Sequence, residues 1–222
     1  MKRKLIIFSF LLLTFSLISQ ESEFRDSFGK VNSENLDLLL LDFETNFLKK
    51  NYPDKNIQNS YKKFLKDFFE NEIELNSGLL QNGEKILEKN NLKFHIYNVI
   101  DSIWVGKSVI SESNEKVLIT KYKHLNTNGE FNYAISETSQ NNLSLKRSIL
   151  EKYKEPNLNG IFFESLKRAS LKSELLKPYV ENLNISGSFM SPLVLAGNIL
   201  NNKVDLNNYF VRIIILTNIV HR

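Results

Sequence analysis

The sequence predicts a mainly helical α+β protein: an antiparallel helical hairpin and further helices, with a small antiparallel β-sheet in the middle of the chain. Three observations carry that expectation. Apolar residues recur three and four positions apart from Leu36 to Phe69, aromatic and β-branched residues fall in short blocks from Leu92 to Ser136, and helical spacing returns beyond Leu143.

The first hairpin helix sets Leu36, Leu40, Phe43 and Phe47 on one stripe, which Leu38, Leu39 and Leu41 widen until the helix needs more than one neighbour. Asn32 or Ser33 is its expected cap. The second helix uses Ile57, Tyr61, Phe64, Leu65 and Phe68, with Gln58, Lys62, Lys63, Lys66 and Glu70 on the opposite side. Between them Pro53 drives Tyr52 out of helical conformation, and Asp54 or Asn56 caps the second helix. So short a connection makes the two helices antiparallel neighbours. Ahead of the hairpin, Glu21 to Val31 is polar with Phe24 and Phe28 four apart, which suits a short leading helix or a partly ordered arm.

After an acidic Glu70-Asn71-Glu72-Ile73-Glu74 and a turn at Asn76-Ser77-Gly78, a shorter helix is expected over Leu79 to Asn90, interrupted near Asn82-Gly83. Strands are expected at Ile103-Trp104-Val105, Lys116 to Tyr122 and Glu130 to Ser136. Gly106-Lys107-Ser108, Ser111 to Asn114 and Asn126 to Gly129 bound them, and the Asn-Gly pair is the best hairpin signal in the chain. Glu137 to Asn142 has no apolar residue and is the natural loop or internal boundary in a domain spanning 20–222. Leu143, Leu145, Ile149 and Leu150 suggest a helix ahead of Pro156. Another runs from about Gly160 through Leu171, reaching at most Leu176 before Pro178. Asn182 to Phe189 reads as a loop, and Ser191 caps a helix with Pro192 in its first position. Tyr209 to Val220 fits a helix behind an Asp205 cap or, by alternation, a strand; helix is the preferred reading, and either must be buried.

The chain opens with Lys2-Arg3-Lys4, an apolar run from Leu5 to Ile18 and the polar Gln20-Glu21, the layout of a secretory signal peptide over residues 1–19. The run is shorter than a spanning helix requires. With Cys 0 there is no lipoprotein cysteine, no disulfide and no thiol chemistry. Lys2, Arg3 and Lys4 leave with the signal, taking 29 basic residues to 26 against 25 acidic ones, so no polyanion footprint remains and no nucleic acid is expected. The mature protein is expected to be periplasmic or secreted, without stable membrane insertion.

Catalytic chemistry finds little purchase. His95, His124 and His221 lie far apart without metal-ligand spacing. Asp42 with Glu44, and Glu70, Glu72 and Glu74, are acidic groups best explained as solvated helix faces and edges. Ser60-Tyr61-Lys62-Lys63 matches Ser-x-x-Lys without its companion motifs. Lys62, Lys63 and Lys66 read as a solvated stripe next to Glu70. The aromatics Trp104, Tyr122, Phe131 and Tyr133 sit in the predicted sheet, where they either pack on the helices or line one face as a binding surface.

The hairpin words Asp42-Phe43-Glu44 and Tyr52-Pro53-Asp54, the Ser102 to Val105 run, and the Ser-Pro helix followed by Asp205 to Ile215 resemble a family of uncharacterised secreted bacterial proteins. That resemblance implies export and a shared fold, and brings no activity, cofactor or site residue with it. The expected function is a non-enzymatic binding or interaction module with no cofactor, whose partner is a protein or a small apolar ligand. The alternatives are an enzyme whose site is built from sequence-distant residues and a carrier of an apolar ligand. The three differ in what they require: a flat exposed aromatic patch, perturbed titratable groups in one cleft, or a closed apolar pocket.

Overall fold

The computed structural model describes residues 20–73, 79–110, 116–139, 154–202 and 204–221. The expected signal segment, the turns at 76–78 and 111–114 and the helix expected around Leu143 to Leu150 lie outside them.

Residues 20–28 form a leading helix, α1, which buries Phe24 and Phe28. Gly29 ends it at φ 88°, a conformation glycine adopts without a Cβ penalty, and α2 (Lys30–Phe43) starts at once. That break comes earlier than the expected caps. Asn32 and Ser33 therefore lie inside the first turn of α2 and donate backwards, to Phe28 O at 3.0 Å and Arg25 O at 3.4 Å. From α2 the chain winds through a π-turn at Glu44–Leu48 and a last turn at Lys49–Asn51. Asn56 then caps α3 (Ile57–Phe69), accepting from Asn59 N at 2.9 Å.

The hairpin closes on aromatic rings. Phe43 meets Tyr61 and Phe64 edge-on at 5.8 and 5.2 Å, and Phe47 meets Phe64 at 5.7 Å. Further along, α3 packs on α8 (Pro192–Asn201). Gly197 permits this approach, since a Cβ there would stand 3.1 Å from the Phe69 ring.

After α3, α4 (Gly83–Glu88) and α5 (Leu92–Ile96) are separated by a short turn in which Asn90 and Asn91 take positive φ. The chain then passes directly into β1 (Tyr97–Lys107), followed by β2 (Lys116–Leu125), β3 (Phe131–Ser139) and the short β4 (Glu155–Pro156). Every pairing is antiparallel, in the order β3-β2-β1-β4. The strands run longer than expected. Gly106 and Lys107 belong to β1 rather than to a turn, and Glu137 to Ser139 extend β3 rather than forming a loop. Register explains both: each of these residues has a partner on β2, and ladder pairing outweighs local turn preference. The Asn126 to Gly129 turn stands as expected. Asn126 Oδ1 accepts from Asn128 N and Glu130 N, both at 2.9 Å, and Gly129 supplies φ 80°.

Helix α6 (Ile161–Ser170) falls where expected. An unexpected helix follows: α7 (Leu176–Ser186) carries Pro178 as its third residue, where the backbone N–H needs no helical partner. The expected loop over Asn182 to Phe189 shrinks accordingly, and Gly187 at φ 68° ends the helix. Pro192 opens α8 behind Ser191.

The terminal apolar stretch is helical, as α9 (Tyr209–Ile215) and a π-turn at Leu216–Val220. Its cap is Asn208 rather than Asp205: Asn208 Oδ1 accepts from Phe210 N at 2.9 Å, while Asp205 accepts from Asn207 N in the preceding turn. Leu206, Phe210, Ile213, Ile215, Leu216 and Ile219 all fall in the hydrophobic core with Phe24, Phe28, Leu36, Phe43 and Leu65. Ile215→Ala is expected to cost about 2 to 5 kcal/mol in urea unfolding, because the 0% exposed side chain leaves a cavity. Leu171→Ala, at a side chain 80% exposed, should stay within about 0.5 kcal/mol of the parent.

Candidate functional site

Residues paired across an antiparallel ladder share a face, and neighbours along a strand alternate. The registers Trp104–Ile119, Lys121–Ile135, Lys123–Tyr133 and Leu125–Phe131 therefore place Trp104, Phe131, Tyr133 and Ile135 on one face, together with Lys121 and Lys123. The opposite face takes Tyr122, paired with Ile100 and Ala134, along with Leu118, Thr120 and His124.

Three of the four aromatics singled out in the sequence thus share a surface, and Tyr122 does not. It is 4% exposed, with Ser136 and Glu155 beside its hydroxyl, and burial raises its pKa. The other three are open to solvent: Trp104, Phe131 and Tyr133 are 40, 42 and 52% exposed, and Ile135 beside them is 45% exposed. Local sequence builds this surface. Gly106, two residues beyond Trp104 on the same face, has no side chain and leaves room for the indole, since a Cβ there would sit 3.3 Å from Trp104 Nε1. At the other end Phe94, from α5, meets Phe131 edge-on at 5.2 Å and continues the ring surface onto the helical body.

Sequence reasoning missed the lysines. Lys121 Nζ lies 4.0 Å from the centroid of the Tyr133 ring and 3.5 Å from Asp101, the residue at the β1 bulge. Lys123 Nζ lies 4.0 Å from the Phe131 centroid and 5.4 Å from that of Phe94. Each ammonium leans diagonally across β3 and rests on a ring, held by the ring quadrupole. The signal was present in Lys121-Tyr122-Lys123, where strand alternation puts both lysines on one side. Glu137 closes the distal end of the face by accepting from Ser108 Oγ, Val109 N and Ile110 N, and these bonds hold its pKa below the usual carboxylate value.

Asp42 and Glu44, expected to be solvated, are instead held by partners within the fold, while Glu74 lies outside the described residues. Asp42 is buried and accepts from Asn82 N, Asn82 Nδ2 and Asn46 Nδ2, tying α2 to the start of α4. Glu44 accepts from Tyr61 Oη and Arg212. Glu70 and Glu72 lie near Asp67, but Lys66 and Lys63 neutralise them, and Asp67 is held by Tyr52 Oη and Lys63. Ser60 Oγ donates to Asn56 O at 3.0 Å, and Lys63 turns to Asp67, so the Ser-x-x-Lys pair does not act together.

A further convergence of titratable groups, at the end of the chain's last helix, joins Glu84, Lys154 and His221. Lys154 Nζ stands 2.8 Å from His221 Nε2, and Glu84 Oε1 stands 3.4 Å from the same nitrogen. The bond to His221 holds the Glu84 carboxyl down at about 2, whereas burial lowers both Lys154 and His221. His221 packs its ring 5.2 Å from Tyr97, so the trio ties the end of α9 to α4 and to the root of the sheet. His95, His124 and His221 do not gather: among the described residues no metal-sized group of ligands includes a histidine.

No family model, no curated protein and no solved structure matches the chain. Fold and surface define a class alone: an α+β, mainly helical body carrying a sheet with one outward aromatic face. No helix among the described residues is long and apolar enough to cross a membrane.

Burial lowers the pKa of His95, His124 and His221 alike from the ordinary 6.5. The unfolded chain therefore takes up protons first as pH falls through that value, so stability is full above it and declines below it. The urea midpoint is expected to drop between about pH 7.5 and about pH 5, above the carboxylate range. A flat profile over that window would contradict the burial of neutral rings.

Proposed function

We propose that the protein is an exported, non-enzymatic binding module that holds its partner on the outward face of the sheet. The observation that carries this reading is the clustering of Trp104, Phe131, Tyr133 and Ile135 on one face, exposed yet fixed by strand register. Aromatic anchors on rigid elements are what binding surfaces concentrate, and apolar side chains grouped on one exposed face mark an interaction surface. The signal-like residues 1–19 support export, and kinship with a family of secreted bacterial proteins belongs to the same reading. The carrier alternative requires a closed apolar cavity. The groove between α6 and α7 is small, about 260 Å3, and open, with Lys167, Lys177 and Glu181 mixed among Phe163, Leu171 and Val180.

Trp104 is the single tryptophan of the chain, so its emission reports on this face directly. The test is native mass spectrometry of the protein purified from its own cell envelope or medium, together with the Trp104→Ala/Tyr133→Ala double variant. The expected result is a chain beginning at Gln20 that retains a bound partner, and a double variant that loses the partner by about 30-fold or more in affinity. Its thermal midpoint should stay near that of the parent, because both side chains are half exposed. A partner retained equally by the double variant would remove the sheet face as the site. A chain that keeps residues 1–19 would remove export by cleavage.

A further inference from the structure

We infer that the free edge of β3 receives an extended, acidic segment of a partner protein as an added strand, an inference that rests on the sheet face being the binding surface. No strand lies beyond β3 among the described residues, and Phe131 to Ile135 are all exposed. Among the described residues no segment covers that edge. The strand Phe131-Asn132-Tyr133-Ala134-Ile135-Ser136-Glu137-Thr138-Ser139 contains no proline and no lysine, two of the devices that block edge pairing. Its single charge, Glu137, lies beyond the aromatic residues and is engaged by Ser108, Val109 and Ile110 at the far end of the strand.

Register shows which backbone groups are available. Asn126 N donates to Glu130 O at 3.0 Å, closing the hairpin, and hydrogen-bonded pairs recur at every second position from there. His124–Asn132, Tyr122–Ala134 and Thr120–Ser136 are thus the bonded pairs inside the ladder. Phe131, Tyr133 and Ile135 belong to the alternate pairs, and their N–H and C=O groups point away from β2 toward the open edge. These are the same residues whose side chains stand on the aromatic face. A strand added here gains its main-chain bonds from the residues that also supply the ring contacts.

The lysines set the charge of the occupant. Lys121 and Lys123 are two apart on β2, and both ammoniums lean over the β3 rings toward that edge, above Tyr133 and Phe131. Two residues of strand span about 6.6 Å, so the lysine stems repeat at the spacing of alternate side chains on an added strand. Lys121 has Asp101 at 3.5 Å, whereas no carboxylate of a described residue pairs with Lys123. Carboxylates at alternate positions of the incoming segment would meet both. A sugar ring would have to displace the ammoniums from the rings it stacks on, which an acidic strand does not require.

The test uses the mature full-length protein and a labelled, end-blocked peptide of alternating threonine and glutamate, read by fluorescence anisotropy. Three comparison probes are the same peptide N-methylated at every second residue, a threonine-lysine peptide of equal length, and a single-stranded oligonucleotide. The expected result is saturable binding of the plain acidic peptide, weakened about tenfold by Lys121→Gln/Lys123→Gln and by raised salt. The N-methylated and threonine-lysine peptides should not bind. Ile135→Pro should abolish binding while leaving the sheet's circular dichroism intact, because the N–H it removes serves no internal bond. Should that variant misfold, the N-methylated peptide carries the same comparison on the unaltered protein. Equal binding of the plain and N-methylated acidic peptides, lost in Tyr133→Ala, would overturn strand addition and leave the sheet face as the site. Absence of binding by the acidic peptide, or tighter binding of the oligonucleotide, would overturn the acidic strand as occupant.

Discussion

Burial of residues 209–220 is the constraint on which the arrangement of the helices depends. Tyr209, Phe210, Val211, Ile213, Ile214, Ile215, Leu216, Ile219 and Val220 are buried around the whole circumference of one helix, which leaves it no side to give to water. Such a helix must be surrounded. The leading helix brings Phe24 against Phe210 at 5.7 Å and the long helix after it brings Phe43, while Arg212 finds Glu44 at 2.9 Å, with the Tyr61 hydroxyl on the same carboxylate. That shared carboxylate also fixes the hairpin, so one buried segment sets the geometry of helices far away in sequence.

The sheet is positioned by the same segment. Tyr97, the first residue of β1, is fully buried and donates its hydroxyl to Thr217 O at 3.0 Å. Asn157 fastens a second corner, donating to Phe94 O at 2.9 Å and Leu125 O at 2.7 Å. Gly160 allows that corner to close, because a Cβ there would lie 2.5 Å from His95 O. The strands are rooted in the core at one end and project from it at the other. The aromatic face runs from that rooted corner, where Phe131 meets Phe94, out to Trp104 on the projecting part.

Periodicity made the helices legible, since Leu36, Phe43, Tyr61 and Phe64 are core residues at the spacing that foretold them. Local chemistry foretold a cap at Asp54 or Asn56, of which Asn56 serves, as well as the Asn-Gly turn and the proline opening α8. Boundaries failed where long-range pairing or position within a helix decided the outcome: Gly106 was drawn into a strand by its β2 partner, and Pro178 was tolerated in a first turn. The site was legible in part. Trp104, Phe131 and Tyr133 emerged from composition, but separating them from Tyr122 required register, which a loop longer than two residues does not set. Phe94 was invisible because it reaches the face from a helix, and Lys121 and Lys123 because a charge on a strand usually means only solvent.

Lysines that rest on rings also bear on what the protein does when alone. Their ammoniums shade Tyr133 and Phe131, making the face less sticky than its ring content suggests, but they leave the β3 backbone uncovered. A nine-residue edge whose one charge is engaged by Ser108, Val109 and Ile110 is complementary to itself as well as to a foreign strand. The outer side of β1 beyond Asn98 has no partner among the described residues either, so self-association at high concentration depends on both edges. Fibrous aggregation is expected to start from these edges, before any helix unfolds.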